Sequence, residues 1–209
     1  MFTGIVGGLG RIVSVSALGS SGEHHGKRLA IQTPAGFLDD VQAGDSIAIN
    51  GACMTVTDLD AAAARFHIDL SAESLARTAG LAEPGPANLE KAMRAHDRLG
   101  GHLVSGHVDG IGRVAHFSPV GESWELRIET PRDLARFIAY KGSITVDGVS
   151  LTVNRVVDTP AACELSINLI PHTLAHTTLG GLRVGQPVNL EIDLIARYVE
   201  RMLSPQARG

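Results

Sequence analysis

Apolar and polar residues alternate along short stretches of this chain, and a two-residue period is typical of half-buried β-strands. The alternation is clear in residues 47–49 and again in residues 144–146. Each stretch is followed directly by a turn-forming dipeptide, Asn50-Gly51 in the first case and Asp147-Gly148 in the second. Such dipeptides between apolar runs are strong signals for tight hairpins. The pattern therefore predicts short antiparallel strands joined by tight turns.

A few segments depart from the alternating pattern. Thr33-Pro34 and Thr130-Pro131 predict the starts of two short helices, in which the threonine before each proline caps the first turn. Pro84-Gly85-Pro86 predicts a loop, and residues 91–98 resemble a connection between two units.

The last part of the chain follows a period of about 3.6 residues. Its apolar residues fall on one narrow stripe, formed by Leu194, Ile195, Tyr198, Val199, Met202 and Leu203. This spacing predicts one amphipathic helix that ends near Ser204-Pro205. The stripe either packs on the chain's own barrel or associates with another subunit, and the sequence does not favour one over the other.

Four segments recur in the same order about 100 residues later. The pairs are 4–12 with 106–114, 46–56 with 143–153, 74–78 with 173–177, and 88–90 with 189–191. Ordered matches at nearly constant spacing predict a duplicated unit. We expect an all-β fold with two similar six-stranded Greek-key barrels and short helices, at residues 1–97 and 98–193, and a C-terminal amphipathic helix at 194–209.

Composition narrows the class of protein. The 209 residues carry a net charge of −4 and no long basic run, which argues against nucleic acid as a partner. No stretch approaches the 18 apolar residues of a membrane span, and the N-terminus lacks the basic region of a signal peptide. Cys53 and Cys163 lie far apart without a metal-binding pattern, so we expect free thiols in a cytoplasmic protein. The chain has 24 glycines, more than is usual for its length, and several of them fall at equivalent places in the two repeats, for example Gly4 and Gly106.

The repeated motifs carry a resemblance to a known family. Residues 1–6 (MFTGIV), 50–57 (NGACMTVT), 100–110 (GGHLVSGHVDG) and 147–153 (DGVSLTV) closely resemble riboflavin synthases of the alpha type, which contain two lumazine-binding repeats. The resemblance implies a dismutation: two molecules of 6,7-dimethyl-8-ribityllumazine exchange a four-carbon unit and give riboflavin and 5-amino-6-ribitylaminouracil. It also implies a homotrimer in which residues 194–209 form the oligomerisation helix. Each active site then lies between barrels of neighbouring subunits and holds two substrate molecules.

The resemblance also suggests which residues take part in the chemistry. Cys53 aligns with Ser150 of the second repeat and stands where the family has a residue that attacks the lumazine ring or assists a water molecule that does so. Without the motif, Cys53 reads as a buried small apolar residue. His102 is a candidate relay for the proton of the acidic C7 methyl group. Ser46, Ser150 and Asp193 complete the predicted catalytic set, and Asp193 also fits a helix cap.

The remaining predicted site residues are ligand contacts. Those of the first repeat and its surroundings are Gly4, Ile5, Val6, Met54, Thr55, Asp69, Leu70, Ser71, Ala72, Glu73 and Ser74. Those of the second repeat are Gly106, His107, Val108, Lys141, Leu151, Thr152, Asn168, Leu169, Ile170, Pro171, His172 and Thr173. His107 is expected to offer its backbone rather than its ring. The reaction has no net redox change, so neither a cofactor nor a metal is expected. The competing prediction is a non-catalytic lumazine- or flavin-binding protein with the same fold.

Overall fold

The computed structural model describes residues 1–19 and 26–204, and within them the chain forms two β-units and three short α-helices. The strands of the first unit are β1 (Gly8–Ala17), β2 (Lys27–Gln32), β3 (Ser46–Ile49), β4 (Ala52–Asp60), β5 (Arg65–Leu70) and β6 (Gly85–Lys91). Those of the second are β7 (Gly110–Val120), β8 (Ser123–Pro131), β9 (Ser143–Val146), β10 (Val149–Thr152), β11 (Arg155–Asp158), β12 (Ala162–Leu169) and β13 (Pro187–Ile192). The helices are α1 (Ala72–Arg77), α2 (Pro171–His176) and α3 (Leu194–Leu203).

The first unit is a closed antiparallel barrel with the strand order β1-β2-β5-β4-β3-β6. Neighbours that are not consecutive, such as β2 with β5 and β3 with β6, give the long connections of a Greek key. Ile12, Ile31 and Phe66 belong to the apolar cluster that fills the barrel. Closure leaves no free sheet edge in this unit.

The second unit repeats this order, with one difference at the strand equivalent to β4. That strand is interrupted at Val153 and Asn154, and its two parts are β10, paired with β9, and β11, paired with β12. The unit is therefore a curled seven-stranded sheet instead of the six-stranded barrel expected for this repeat. In the first unit, β4 stays continuous by taking up a bulge between Val56 and Asp58.

The two predicted hairpin turns are confirmed, and they meet at the boundary between the units. Asn50 and Asp147 both have φ of 47°, and the glycine after each also has a positive φ, as a type I′ turn requires. Gly51 and Gly148 face each other so closely that a Cβ at Gly51 would lie 2.7 Å from the Gly148 nitrogen. Any side chain at either position would push the two units apart.

Two buried asparagines connect the repeats across this boundary. Asn88 donates its side-chain amide to the Asp147 carbonyl at 2.9 Å, and Asn189 donates to the Asn50 carbonyl at 3.0 Å. The two side chains also accept from backbone amides of the opposite repeat, Thr178 for Asn88 and Ala79 for Asn189. The duplication thus produces an approximately two-fold arrangement within one chain.

The predictions for the irregular segments succeed only in part. After Pro131 the chain forms a 3₁₀ helix, Arg132–Phe137, whereas after Pro34 it forms only turns. Neither threonine is a cap. Thr33 donates its hydroxyl to the carbonyl of Ala64 in the turn before β5, and Thr130 donates to the carbonyl of Cys163 on β12. The prediction of a loop at Pro84-Gly85-Pro86 is wrong beyond Pro84, since β6 begins at Gly85 and Pro86 pairs with Arg11.

The amphipathic C-terminal helix is confirmed as α3, and residues 205–209 of the predicted segment lie outside the described residues. Asp193 caps the helix by accepting a hydrogen bond from the Ile195 amide at 2.9 Å. Two ion pairs attach its half-buried side to the second unit, Arg197 with Asp109 and Arg136 with Glu200. Its apolar stripe faces away from the chain's own sheet, with Tyr198 61% and Met202 74% exposed. No described helix is long and apolar enough to cross a membrane.

The boundary between the units carries an asymmetry that predicts a pH effect on stability. Asp147 accepts a hydrogen bond from the Asn189 amide, just as Asn50 does from the Asn88 amide in the first repeat. Burial raises the pKa of Asp147 to about 7, and the Asn189 hydrogen bond opposes that shift. Since the unfolded residue has an ordinary pKa, the folded chain binds more protons between about pH 4 and 7, and its stability falls as the pH rises through that range.

We therefore expect Asp147→Asn to be more stable than the parent at pH 8, by at least about 1 kcal/mol, with the difference shrinking towards pH 4. Denaturant unfolding at pH 5 and pH 8 measures this difference. The matched control is Asn50→Asp, which places a carboxyl at the equivalent turn and should destabilise the protein at pH 8. Equal unfolding midpoints for the parent and Asp147→Asn at pH 8 would contradict the argument.

Candidate functional site

Each unit has a short extended segment before its first strand, and these segments cross to the other unit. Residues 1–6 precede β1 and residues 102–108 precede β7. They meet where Phe2 and Val104 exchange backbone hydrogen bonds of 2.8 and 3.1 Å. Beyond that point Val6 packs on the core of the second unit, and Val108 packs on the core of the first. The sites described next are therefore built from both repeats.

The first-repeat site is a cavity of about 260 Å³ beside Cys53. The Cys53 amide donates to the Gly106 carbonyl at 2.8 Å, and a Cβ on Gly106 would lie 2.6 Å from the Cys53 Cβ. Only glycine, with its φ of +81°, permits this approach. The cavity brings together predicted residues from three segments: Cys53 and Met54, then Ser71, Glu73 and Ser74, then Gly106, His107 and Val108.

The second-repeat site is related to it by the duplication. The Ser150 amide donates to the Gly4 carbonyl at 2.7 Å, and Gly4, with a φ of +75°, lies as close to Ser150 as Gly106 does to Cys53. Leu151 packs partly on the core of the second unit. The segment formed by Asn168, Leu169, Ile170, Pro171, His172 and Thr173 occupies the place that Asp69–Ser74 occupies in the first repeat.

Two buried glutamates hold the crossing segments in place. Glu90 accepts from the Thr3 amide and hydroxyl, both at 2.7 Å, and from the Gly4 amide at 3.0 Å. Glu191 accepts in the same way from Ser105 and from the Gly106 amide. Burial raises the pKa of both carboxyls, and these hydrogen bonds oppose the shift. We call Glu90 and Glu191 the carboxylate clamps.

The sequence reasoning missed both clamps. The signal was present in the matched segments Asn88-Leu89-Glu90 and Asn189-Leu190-Glu191, where a charged residue lies next to the last position of a largely buried strand in both repeats. A glutamate with 9% or less of its surface exposed must be paired or hydrogen-bonded, so its repetition pointed to a shared structural task.

His102 lies in the second-repeat site, in contact with Ser150. Its Nδ1 is 2.8 Å from the Ser150 Oγ, and its Nε2 is buried with no hydrogen-bond partner among the described residues. Burial lowers the pKa of His102, and the negative charge of Asp193 opposes that effect. A neutral imidazole held against a hydroxyl can accept or pass on a proton near neutral pH. His102, Ser150 and Asp193 are therefore gathered at one site, and Cys53 lies at the other.

Other predicted residues lie on the outer face of the strands or in the cores. Ser46 pairs with Thr55 across β3 and β4, so both share the outer face with Cys53, and Thr152 is exposed on β10. Ser46 itself lines a separate cleft of about 610 Å³, with Lys91 and Arg94, and does not line the Cys53 cavity.

Several side chains in the paired segments already have structural partners. Leu70 and Leu169 are buried in the two cores, so they can offer a ligand only their backbones. Asp69 forms a bidentate ion pair with Arg28 at 2.7 and 2.8 Å, which lowers the pKa of the Asp69 carboxyl. Ser71 caps α1 by accepting from the Ser74 amide, whereas Ile170, before α2, provides no side-chain cap.

Lys141 occupies a strained position in the second repeat. Its amide donates to the Val153 carbonyl at 2.7 Å, as the Gly44 amide donates to Val56 in the first repeat. Both residues have a positive φ, 62° for Lys141 and 95° for Gly44. A left-handed lysine where the duplicate has glycine costs free energy, and such strain is characteristic of functional positions. The Lys141 amine donates to the Asn154 side chain at 2.9 Å, beside the strand interruption.

Comparison with known proteins agrees with this duplicated architecture. The family described as the lumazine binding domain matches residues 3–92 and again residues 105–193. Three curated riboflavin synthases are similar over 97% of this chain. The protein of Photobacterium phosphoreum is 42% identical and is covered over 89% of its length, that of Mycobacterium tuberculosis is 44% identical and covered over 98%, and that of Bacillus subtilis is 38% identical and covered over 90%.

Solved structures with the same fold include LumP in two complexes. LumP with 6,7-dimethyl-8-(1'-D-ribityl) lumazine is 25% identical, with a TM-score of 0.77, and LumP with riboflavin is 27% identical, with a TM-score of 0.78. Each match covers 92% of this chain and 99% of LumP. Together with the full-length relatives, these matches confirm the resemblance carried by the repeated motifs. The chain belongs to the riboflavin synthase family, and it carries the lumazine-binding domain of that family twice.

Proposed function

We propose that this chain is an enzyme that converts two molecules of 6,7-dimethyl-8-ribityllumazine into riboflavin and 5-amino-6-(D-ribitylamino)uracil. One molecule gives up a four-carbon unit and the other accepts it, so the reaction needs two binding sites for the same compound. The observation that carries the proposal is the construction of one site twice, with Cys53 against Gly106 in the first repeat and Ser150 against Gly4 in the second.

The crossing segments suit a planar heterocycle with imide-like edges. In the first site His107, next to the clamped Gly106, lines the same cavity as hydroxyl-bearing residues, and the duplication puts Ile5 at the equivalent position of the second site. Ser71 and Ser74 supply those hydroxyls in the first site, and Thr173 does so in the second. A few fixed polar groups in a largely apolar pocket orient a small ligand.

Because the two sites carry different reactive side chains, we infer that they have different tasks in the reaction. Cys53 provides a thiol in the first, either to attack the ring of its ligand or to activate a water molecule. His102 and Ser150 provide a proton relay in the second, where Asp193 supports the charged form of the imidazole. The reaction of the bound pair requires both sets in one active site.

We further propose that the active site forms between neighbouring subunits of a trimer held together by α3. The support is that the apolar stripe of α3 is exposed in the single chain, although a surface helix normally buries such a stripe. Cys53 and Cys163 are both free thiols, which fits a reducing compartment such as the cytoplasm.

The activity test uses the purified chain with the ribityllumazine alone and no added cofactor. We expect riboflavin fluorescence to rise, with one riboflavin formed for every two lumazine molecules consumed, because one substrate molecule is the donor for the other. Tight binding of the lumazine without turnover would instead identify a non-catalytic binding protein of the same fold.

Cys53→Ser should lower the turnover rate by about 100-fold, the size typical of losing a positioned proton-transfer or nucleophilic group, while lumazine binding persists. Single-turnover rates and fluorescence titration separate these two effects. Cys163→Ala is the control, because Cys163 is buried in β12, away from both sites, and its loss should leave turnover near that of the parent. A Cys53→Ser protein as active as the parent would remove the thiol from the mechanism.

The double change Tyr198→Asp with Met202→Asp should dissociate the trimer, because it places two charges on the exposed apolar stripe of α3. Sedimentation velocity should then show a species near the chain mass of 21.9 kDa. Arg201→Asp changes the charge of an exposed position on the same helix without touching the stripe, and should leave the trimer intact. If the double variant still sediments as a trimer, the subunits associate through another surface.

A further inference from the structure

The short helices that border the two sites differ at one pair of positions. In α1, Glu73 and Arg77 form an ion pair of 3.1 Å across one helical turn. In α2 the same two positions carry His172 and His176, whose rings stack with their centroids 4.1 Å apart and an interplanar angle of 23°. An ion pair in one repeat has thus been replaced by two imidazoles in the other.

The two helices occupy equivalent places, which fixes where the imidazoles lie. Thr78 donates its hydroxyl to the Ser74 carbonyl after α1, and Thr177 donates to the Thr173 carbonyl after α2, both at 2.7 Å. The residue that follows each threonine donates its amide to the asparagine of the opposite repeat. Because Glu73 and Arg77 line the first-repeat cavity, His172 and His176 border the mouth of the second-repeat site.

A hydrogen bond sets the tautomer of one of these rings. The His176 Nδ1 lies 2.8 Å from the His172 carbonyl oxygen, and a carbonyl can only accept, so Nδ1 carries the proton. The His176 Nε2 then keeps its lone pair. A histidine that donates its other ring N–H to a backbone carbonyl is held in a fixed orientation, as metal-ligating histidines usually are. Both side chains are exposed to solvent.

We propose that His172 and His176 bind a divalent transition-metal ion at the mouth of the second-repeat site. Two histidines four residues apart on a helix are the spacing by which helical zinc sites hold their metal. Bonds of about 2.0–2.1 Å place two ligating nitrogens roughly 3–4 Å from each other, which is close to the 4.1 Å between the two ring centroids. Both side chains are exposed, so their rings are free to turn their nitrogens towards a shared ion. Water molecules complete the coordination.

The chemistry of the pair defines which ions bind. Imidazole suits Cu²⁺, Ni²⁺ and Zn²⁺, whereas Mg²⁺ and Ca²⁺ prefer oxygen ligands. A bound ion adds positive charge at the mouth of the site and ties the two side chains together. We therefore expect it to slow turnover, and this consequence rests on the proposed function, whereas the binding itself does not.

The experiment titrates the untagged full-length chain with Ni²⁺ by calorimetry. We expect Ni²⁺ to bind and Mg²⁺ to give no signal. The test variant is His172→Glu with His176→Arg, which installs the ion pair that the first repeat already accommodates, and it should weaken Ni²⁺ binding by about tenfold or more. Circular dichroism and thermal melting confirm that this variant folds. His24→Gln with His25→Gln removes the other neighbouring histidines of the sequence and should bind Ni²⁺ like the parent.

The outcomes separate the metal site from the proposed function. Ni²⁺ binding that survives the Glu/Arg exchange, or that is lost in the His24/His25 variant, overturns the metal site. Ni²⁺ binding that depends on His172 and His176 supports it even if the chain turns over no lumazine, in which case the proposed function alone fails. Turnover in the presence of Ni²⁺, compared with the metal-free rate of each variant, should fall in the parent and stay unchanged in the exchange variant.

Discussion

Both sites depend on the hydrogen bonds that the two buried carboxylate clamps accept from the crossing segments. The crossing segments run outside the sheets, so the amides of Thr3, Gly4, Ser105 and Gly106 have no strand to pair with, and an unpaired buried amide costs about 1–3 kcal/mol. Glu90 and Glu191 satisfy these donors at the price of their own desolvation, which is why the pKa of each is raised. A clamp that lost its carboxylate would release the wall of a site in the other repeat, since each crossing segment contacts Cys53 or Ser150 directly.

Because the unit is duplicated, the hydrogen bonds between the repeats are nearly symmetric, whereas residues near the two sites are free to differ. Most groups that hold the repeats together are identical: Glu90 with Glu191, Asn88 with Asn189, Gly4 with Gly106. Asn50 with Asp147 is the exception. Groups at or near the two sites differ: Cys53 against Ser150, Gly44 against Lys141, and the Glu73–Arg77 ion pair against two histidines. The fold tolerates these changes at the sites, because none of the side chains that differ there forms a hydrogen bond with a buried backbone group at the boundary between the units.

The sequence predicted the features that depend on local physics. The hairpins at Asn50-Gly51 and Asp147-Gly148 follow from residues that accept a positive φ, and α3 follows from a 3.6-residue period with Asp193 as its cap. Features that depend on partners distant in the chain were not predicted. Thr33 and Thr130 donate to the carbonyls of Ala64 and Cys163, which are distant in the chain, instead of capping helices, and Ser46 faces a cleft of its own. The strand interruption at Val153 and Asn154 could not be predicted either, because residues 143–153 match residues 46–56, where the equivalent strand is continuous.

The C-terminal helix connects the exposed surface of the chain to both sites. Asp193 caps α3 and at the same time acts electrostatically on His102, so the position of the first helical turn affects the proton affinity of the second-repeat site. One turn further on, Arg197 holds Asp109, which also accepts from the Ile192 amide and directly follows Val108 in the wall of the first-repeat site. These links are short and partly buried, so salt screens them less than it screens the ion pairs of the outer surface. A shift of α3 would therefore alter the surroundings of both sites, through Asp193 in one case and Asp109 in the other.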